Sequence, residues 1–171
     1  GQGIIKSGII LAAAACIYSG KNAVQTQSYG PESRGGACKS EVVISEEEID
    51  FPKVVEPDVL VVMCQHAYNE YAENVKPGGT IIMDPDMIPN EKDFKNVKVF
   101  RIPAAKIAEE LGRKIVANIV MLGAFVALTS ALEEKAVKES IKANIPKGTE
   151  ELNLTAFEKG YEYGKNLLTK G

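Results

Sequence analysis

Five apolar side chains follow one another without a break from Val59 to Met63, inside the segment Asp58 to Cys64. A strand with one wet face alternates apolar and polar residues, so an unbroken run of strand length means that both faces are covered. That is the situation of a central parallel strand between two helical layers. The following residues repeat the theme. A helical stretch from about His66 to Asn74 leads to the punctuation Lys76, Pro77, Gly78, Gly79, and then to a short strand, Thr80 to Met83. Asp84, Pro85 and Asp86 end it in what reads as a solvated turn, and Val97 to Arg101 supplies the next strand. Pro103 stands near the start of a helix that Gly112 should terminate.

The remaining third of the chain reads as helix. Ile115 to Leu132 is mostly apolar, but its Asn118, Gly123, Thr129 and Ser130 and its α/β context favour a buried helix over a membrane span. Glu133 to Ala143 is a charged amphipathic helix, Pro146, Lys147 and Gly148 break it, and a last helix runs from about Thr155 to Leu168. The expected fold is α/β: a three-layer, mostly parallel sheet with helices on both faces and a helix-rich C-terminal part. No linker and no internal repeat divides it, so residues 1–171 are expected to form a single domain.

Upstream, Gly1, Gln2 and Gly3 run into Ile4, Ile5 and an Ala-rich helix over Ser7 to Tyr18 that is too short for a membrane span. From Asn22 to Tyr29 the pattern alternates, with Val24, Thr26 and Ser28 on one side and Ala23, Gln25, Gln27 and Tyr29 on the other. Gly30, Pro31, Glu32, Ser33, Arg34, Gly35 and Gly36 form a loop on turn chemistry, and Lys39 to Ser45 is a second strand. The acidic run Glu46, Glu47, Glu48 and Asp50 marks a solvated turn or short helix.

Composition narrows the chemistry. Twenty basic residues against 23 acidic ones leave a formal charge of −3, which offers neither a footprint for nucleic acid nor an anchor for an anionic membrane. Cys16, Cys38 and Cys64 are too widely spaced for a zinc or iron–sulfur site, and they suit a reducing, cytoplasmic compartment as structural thiols. A single histidine, His66, excludes a multi-histidine metal site; it reads best as a hydrogen-bonded structural residue at the end of the buried strand. Asp84 and Asp86 have too few companions to hold a metal.

Two segments can carry recognition chemistry. Gly1, Gln2 and Gly3 precede a helix, whose unpaired first-turn N–H groups and dipole favour an anion; a plain tight turn accounts for the same three residues. Tyr29, Gly30, Pro31, Glu32, Ser33, Arg34, Gly35 and Gly36 place an aromatic ring, a carboxylate and a guanidinium on one constrained turn. Arg34 there can make bidentate contacts with a carboxylate or phosphate, or lock a junction between subunits through Glu32.

In order, these two stretches make the chain resemble the gamma subunit of the 2-oxoacid:ferredoxin oxidoreductases. Gly1 to Ile5 resembles the end of that family's initial glycine-rich loop, Gln27 to Gly36 its second loop and Lys39 to Ser45 the strand after it. Pro103 to Gly112, the helix around Asn118 to Gly123, and Asn153, Ala156, Phe157, Gly160 and Tyr161 extend the likeness over nearly the whole chain. The departure is at the start, where the family's first short strand would precede Gly1.

The resemblance implies a gamma subunit of a complex that oxidatively decarboxylates a 2-oxoacid of the pyruvate, 2-oxoglutarate and 2-oxoisovalerate group to acyl-CoA and reduces ferredoxin. It implies alpha-, beta- and delta-type partners, with thiamine diphosphate, magnesium, iron–sulfur clusters and coenzyme A used by the complex and none bound by this chain alone. No catalytic residue is assigned here, and the Tyr29 to Gly36 loop is expected beside the substrate or a subunit junction. An anion-binding structural module and a nucleotide-binding enzyme are the alternatives that the residues leave open.

Overall fold

The computed structural model describes residues 2–29 and 38–171. Helix α1 (Ile4–Ala13) continues into a π-helical turn, Ala14–Tyr18, and the hairpin β1 (Asn22–Tyr29) and β2 (Cys38–Ser45) follows. The next elements are β3 (Val59–Val62), α2 (Gln65–Tyr71), β4 (Thr80–Met83), β5 (Lys98–Arg101) and α3 (Ala104–Glu110). Helices α4 (Ala117–Thr129), α5 (Glu134–Asn144) and α6 (Glu150–Thr169) complete the chain. This is the expected α/β architecture with a helix-rich C-terminal part.

The parallel sheet has three strands in the order β3-β4-β5, with Val59 opposite Thr80 and Thr80 opposite Lys98 at its start. Alternation along β3 and β4 feeds two separate cores. Ile82, with Val59 and Val61, joins the cluster built on Ile10, Ile102, Val120, Val137, Ile141 and Phe157. Leu60, Val62, Ile81 and Met83 point the other way, against Tyr68, Ala72 and Ile88. The continuous apolar runs thus arise because each sheet face has its own helical cover.

The hairpin stands apart from this sheet. β1 and β2 pair antiparallel with each other over their full length, from Asn22 opposite Ser45 to Tyr29 opposite Cys38. Ala23 and Ile44 turn one hairpin face into the larger core, beside α1. The Ser140 hydroxyl donates to the Ile10 carbonyl at 2.7 Å, tying α5 to α1 through a buried hydrogen bond.

The apolar stretch expected between Ile115 and Leu132 contains an interior helix, α4. Nine of the 13 residues of α4 are buried, and its closest neighbour is α6. A Cβ on Gly160 would fall on the Val120 carbonyl oxygen, and one on Gly123 would fall on the Phe157 carbonyl oxygen. The two helices therefore touch backbone to backbone, which only glycine permits. Helix α6 begins at Glu150, five residues before the sequence suggested: Glu150 and Glu151 in its first turn suit the positive end of the dipole.

Asp84 corrects the expectation of a solvated turn, because it is fully buried. Its Oδ1 accepts the Asp86 N–H at 3.0 Å and its Oδ2 accepts the Ala105 N–H at 2.9 Å. The carboxylate closes the turn after β4 and also satisfies a first-turn amide of α3, so it fixes one element to the other. Asp86 is the solvated member of the pair, 3.3 Å from the Lys106 ammonium.

Two substitutions test these contacts. Asp84→Asn presents an amide nitrogen to one of two N–H donors and should cost about 2 kcal/mol, as expected for hydrogen bonds to a charged group. Gly160→Ala gains about 1 kcal/mol of helix propensity but meets backbone atoms that cannot rotate away, and overpacking of that kind costs about 1–3 kcal/mol or more. Thermal melts should show both variants several degrees less stable; an unchanged midpoint for Gly160→Ala would refute the backbone contact.

Candidate functional site

The start of α1 lies at the C-terminal end of the parallel sheet, where open α/β folds place their ligands. Gln2 Nε2 donates to the Met63 carbonyl, just beyond β3, at 2.8 Å. Gly3 has φ +73°, and its carbonyl accepts both the Ser7 N–H at 3.0 Å and the Asn118 amide Nδ2 at 3.1 Å. A Cβ at Gly3 would collide with the Asn118 amide, so a side chain is excluded by conformation and by space. Two of the three leading residues are thereby assigned structural contacts: Gln2 pins the helix start to β3, and Gly3 allows α4 to approach through Asn118. Gly1 lies outside the described residues.

The outer face of the hairpin carries a second polar constellation. Thr26 and Ser28 of β1 and Lys39 and Glu41 of β2 line a pocket of about 290 Å³, with Gln27 and Lys53. Glu41 is its hub: the Lys39 ammonium is 2.9 Å from Oε1, while Oε2 accepts the Thr26 hydroxyl at 3.4 Å and the Val54 N–H at 3.2 Å. The Lys39 ammonium also sits 5.6 Å from the centre of the Tyr71 ring, linking the hairpin to α2.

Charge follows this geometry. Burial pushes the Glu41 carboxyl up, but the hydrogen bonds from Lys39, Val54 and Thr26 outweigh it and hold the group below its ordinary value. The same Glu41 contact raises Lys39. Burial, with the neighbouring Glu70 carboxylate, raises Tyr71. Since Glu41 already accepts from three donors, it serves to hold the pocket's shape. The Lys53 ammonium and the Ser28 hydroxyl, beside the Lys39 ammonium that Glu41 holds, let the pocket receive an anionic or accepting group.

The sequence pointed to the loop joining these strands. Tyr29 closes β1 opposite Cys38; Gly30, Pro31, Glu32, Ser33, Arg34, Gly35 and Gly36 lie outside the described residues. The hairpin pocket was missed, although the i, i+2 spacing of Lys39 and Glu41 on a strand could have shown that they share a face. His66, expected as a hydrogen-bonded structural residue at the end of the buried strand, is on the exposed surface of α2, its Nε2 3.4 Å from the Glu70 carboxylate. Cys16, Cys38 and Cys64 are free thiols, Cys16 exposed and the other two half-buried. Among the described residues no three histidine, cysteine or carboxylate side chains gather as a metal site, and no helix is long and apolar enough to cross a membrane.

Comparison with known proteins places this architecture. Residues 1–163 match the family described as pyruvate ferredoxin/flavodoxin oxidoreductase. The 2-oxoglutarate synthase subunit KorC of Methanocaldococcus jannaschii is 53% identical over 98% of this chain and 90% of its own length. Among solved structures, the gamma subunit of a keto/oxoacid ferredoxin oxidoreductase from Geobacter sulfurreducens superposes with a TM-score of 0.84 at 40% identity, over 95% of this chain and 92% of that one. A 2-oxoglutarate:ferredoxin oxidoreductase from Magnetococcus marinus, solved with 2-oxoglutarate, coenzyme A and succinyl-CoA bound, gives a TM-score of 0.85 at 27% identity, over 96% of this chain and 29% of that one. The polar hairpin, the pinned start of α1 and the close α4–α6 pair are therefore features of a chain that belongs to the pyruvate ferredoxin/flavodoxin oxidoreductase family, as a gamma-type subunit of the 2-oxoacid:ferredoxin oxidoreductases.

Proposed function

We propose that this chain is the gamma subunit of a cytoplasmic, thiamine-diphosphate-dependent complex that oxidatively decarboxylates 2-oxoglutarate to succinyl-CoA and reduces ferredoxin. The observation that carries the choice of substrate is the 53% identity to a 2-oxoglutarate synthase subunit over nearly the full length of both chains. The complex couples carbon–carbon cleavage to electron transfer, and thiamine diphosphate supplies the electron sink for the first of these when bound.

The described residues offer no donor set for magnesium or an iron–sulfur cluster. No described set of three histidine, cysteine or carboxylate side chains converges, and Glu41, the half-buried acid of the hairpin pocket, is committed to Lys39, Thr26 and Val54. In this reading, alpha-, beta- and delta-type partners hold thiamine diphosphate, magnesium and the iron–sulfur clusters. The gamma chain presents its hairpin, with the Tyr29 to Gly36 segment at its end, to a subunit junction beside the substrate or coenzyme A channel. Gln2 and Gly3 anchor the start of α1.

Reconstitution with the three partner types tests the assignment. Coenzyme A-dependent reduction of ferredoxin should be fastest with 2-oxoglutarate in a panel that includes pyruvate and 2-oxoisovalerate. Equal rates across the panel, or no dependence on this chain, would overturn it. Arg34→Ala then separates two roles for the loop. Lost association assigns Arg34 to the junction, a raised KM in an intact complex assigns it to an anionic ligand, and unchanged assembly and kinetics would exclude both.

A further inference from the structure

The β1–β2 arm is covered unequally. Its inner face rests on α1 through Ala23 and Ile44, yet none of the residues Asn22 to Ser28 or Cys38 to Ser45 is fully buried. A two-stranded ribbon packed on one side only is marginal on its own. Its outer face, with Thr26, Ser28, Lys39 and Glu41, is met by the extended segment around Val54, whose N–H reaches Glu41 at 3.2 Å. On either side of Lys53 in that segment stand Phe51, 62% exposed, and Val55, 72% exposed. Large apolar side chains beside a polar pocket have the composition of a contact surface: an apolar centre with a polar rim.

We propose that the outer face of this hairpin, together with the Phe51 to Val55 segment, docks a partner subunit of the complex that offers apolar side chains to Phe51 and Val55 and a carboxylate to the Lys39–Lys53 pocket. The inference rests on the gamma-subunit reading and adds to it the surface and the chemistry of the partner. Charge argues for that occupant. The chain as a whole carries −3, while two ammonium groups meet one carboxylate in this pocket. The exposed acids Glu46, Glu47 and Glu48 begin at the far end of β2, beyond Ser45, and Asp50 and Glu56 bracket the apolar pair. The cationic spot therefore has the acidic residues Glu46 to Glu48, Asp50 and Glu56 as neighbours along the chain. An acidic partner group is attracted there and repelled elsewhere, which fixes the register of docking as well as its strength.

Holding Lys39 in place is the part that Glu41 plays. The carboxylate keeps the ammonium between itself and the Tyr71 ring, so the amine is fixed before the partner arrives and less side-chain freedom is lost on binding.

The test measures assembly of the full chain with purified alpha-, beta- and delta-type subunits. Phe51→Asp combined with Val55→Asp should weaken association at least tenfold with little change in the thermal midpoint of the isolated chain. Lys53→Glu should slow association about five- to tenfold at low salt, an effect that shrinks at 0.5 M salt. Leu168→Asp, a similarly exposed apolar residue near the end of α6, should change affinity less than twofold. Unchanged affinity in the Phe51 and Val55 variant overturns this surface and leaves the gamma-subunit reading standing. Equal loss in Leu168→Asp overturns it as well, and so does a homodimer of the isolated chain that Phe51→Asp abolishes. Failure of the unmodified chain to assemble overturns the functional reading and this surface with it.

Discussion

Burial of both faces of β4 is the constraint on which the rest of the structure depends. Ile82 enters the larger core while Ile81 and Met83 enter the smaller one, all three fully buried. A strand in that position must have neighbours that complete its backbone hydrogen bonds and helices that cover each face. β3 and β5 supply the first requirement in parallel register. The second divides the helices: α2 and the loop to Ile88 cover one face, while α1 and α3 to α6 build the other. Packing α6 against α4 at backbone contact distance gives that second layer its rigidity.

The ends of the parallel strands are then secured by side chains that never leave the interior or its margin. Asp84 binds amides on both sides of the β4–α3 connection. Asn118 reaches from α4 to the Gly3 carbonyl, and Gln2 from α1 to Met63. Each of these polar groups is expensive to leave unpaired in a half-dry environment and strongly orienting once paired. At the C-terminal end of the parallel sheet these hydrogen bonds hold the start of α1 in place, and a second set of exposed polar groups lies on the hairpin.

What could be read from residues alone follows the same division. The limits of β1 came directly from alternation and those of β4 from the punctuation on either side of it, Lys76 to Gly79 and Asp84 to Asp86. Ile115 to Leu132 was readable as an interior helix, since Asn118, Gly123 and Ser130 are poor company for lipid. The burial of Asp84 was not readable: Asp-Pro-Asp has the composition of a solvated turn, and only the tertiary approach of Ala105 turns its first carboxylate inward. His66 failed for the complementary reason. Four residues past the end of β3, in the first turn of α2, it faces the surface beside Glu70. Resemblance supplied what no spacing could, the family, while the hairpin pocket needed the cross-strand register that sets Thr26 opposite Glu41.

The distribution of satisfied polar groups bears on where catalysis resides. A general base or nucleophile needs a lone pair free to act on a substrate, within reach of an empty volume. Glu41 borders such a volume but accepts from an ammonium, a hydroxyl and a backbone amide at once, and Asp84 has two amide donors and no exposure. The pocket also presents the Lys53 ammonium, a donor, and the Ser28 hydroxyl, which can donate or accept. Donors aimed at a surface recognise and orient an anionic partner, whereas they supply no base. Among the described residues, the charged chemistry of the hairpin is thus suited to holding an anionic group in place, which agrees with the proposed place of this chain beside partner subunits.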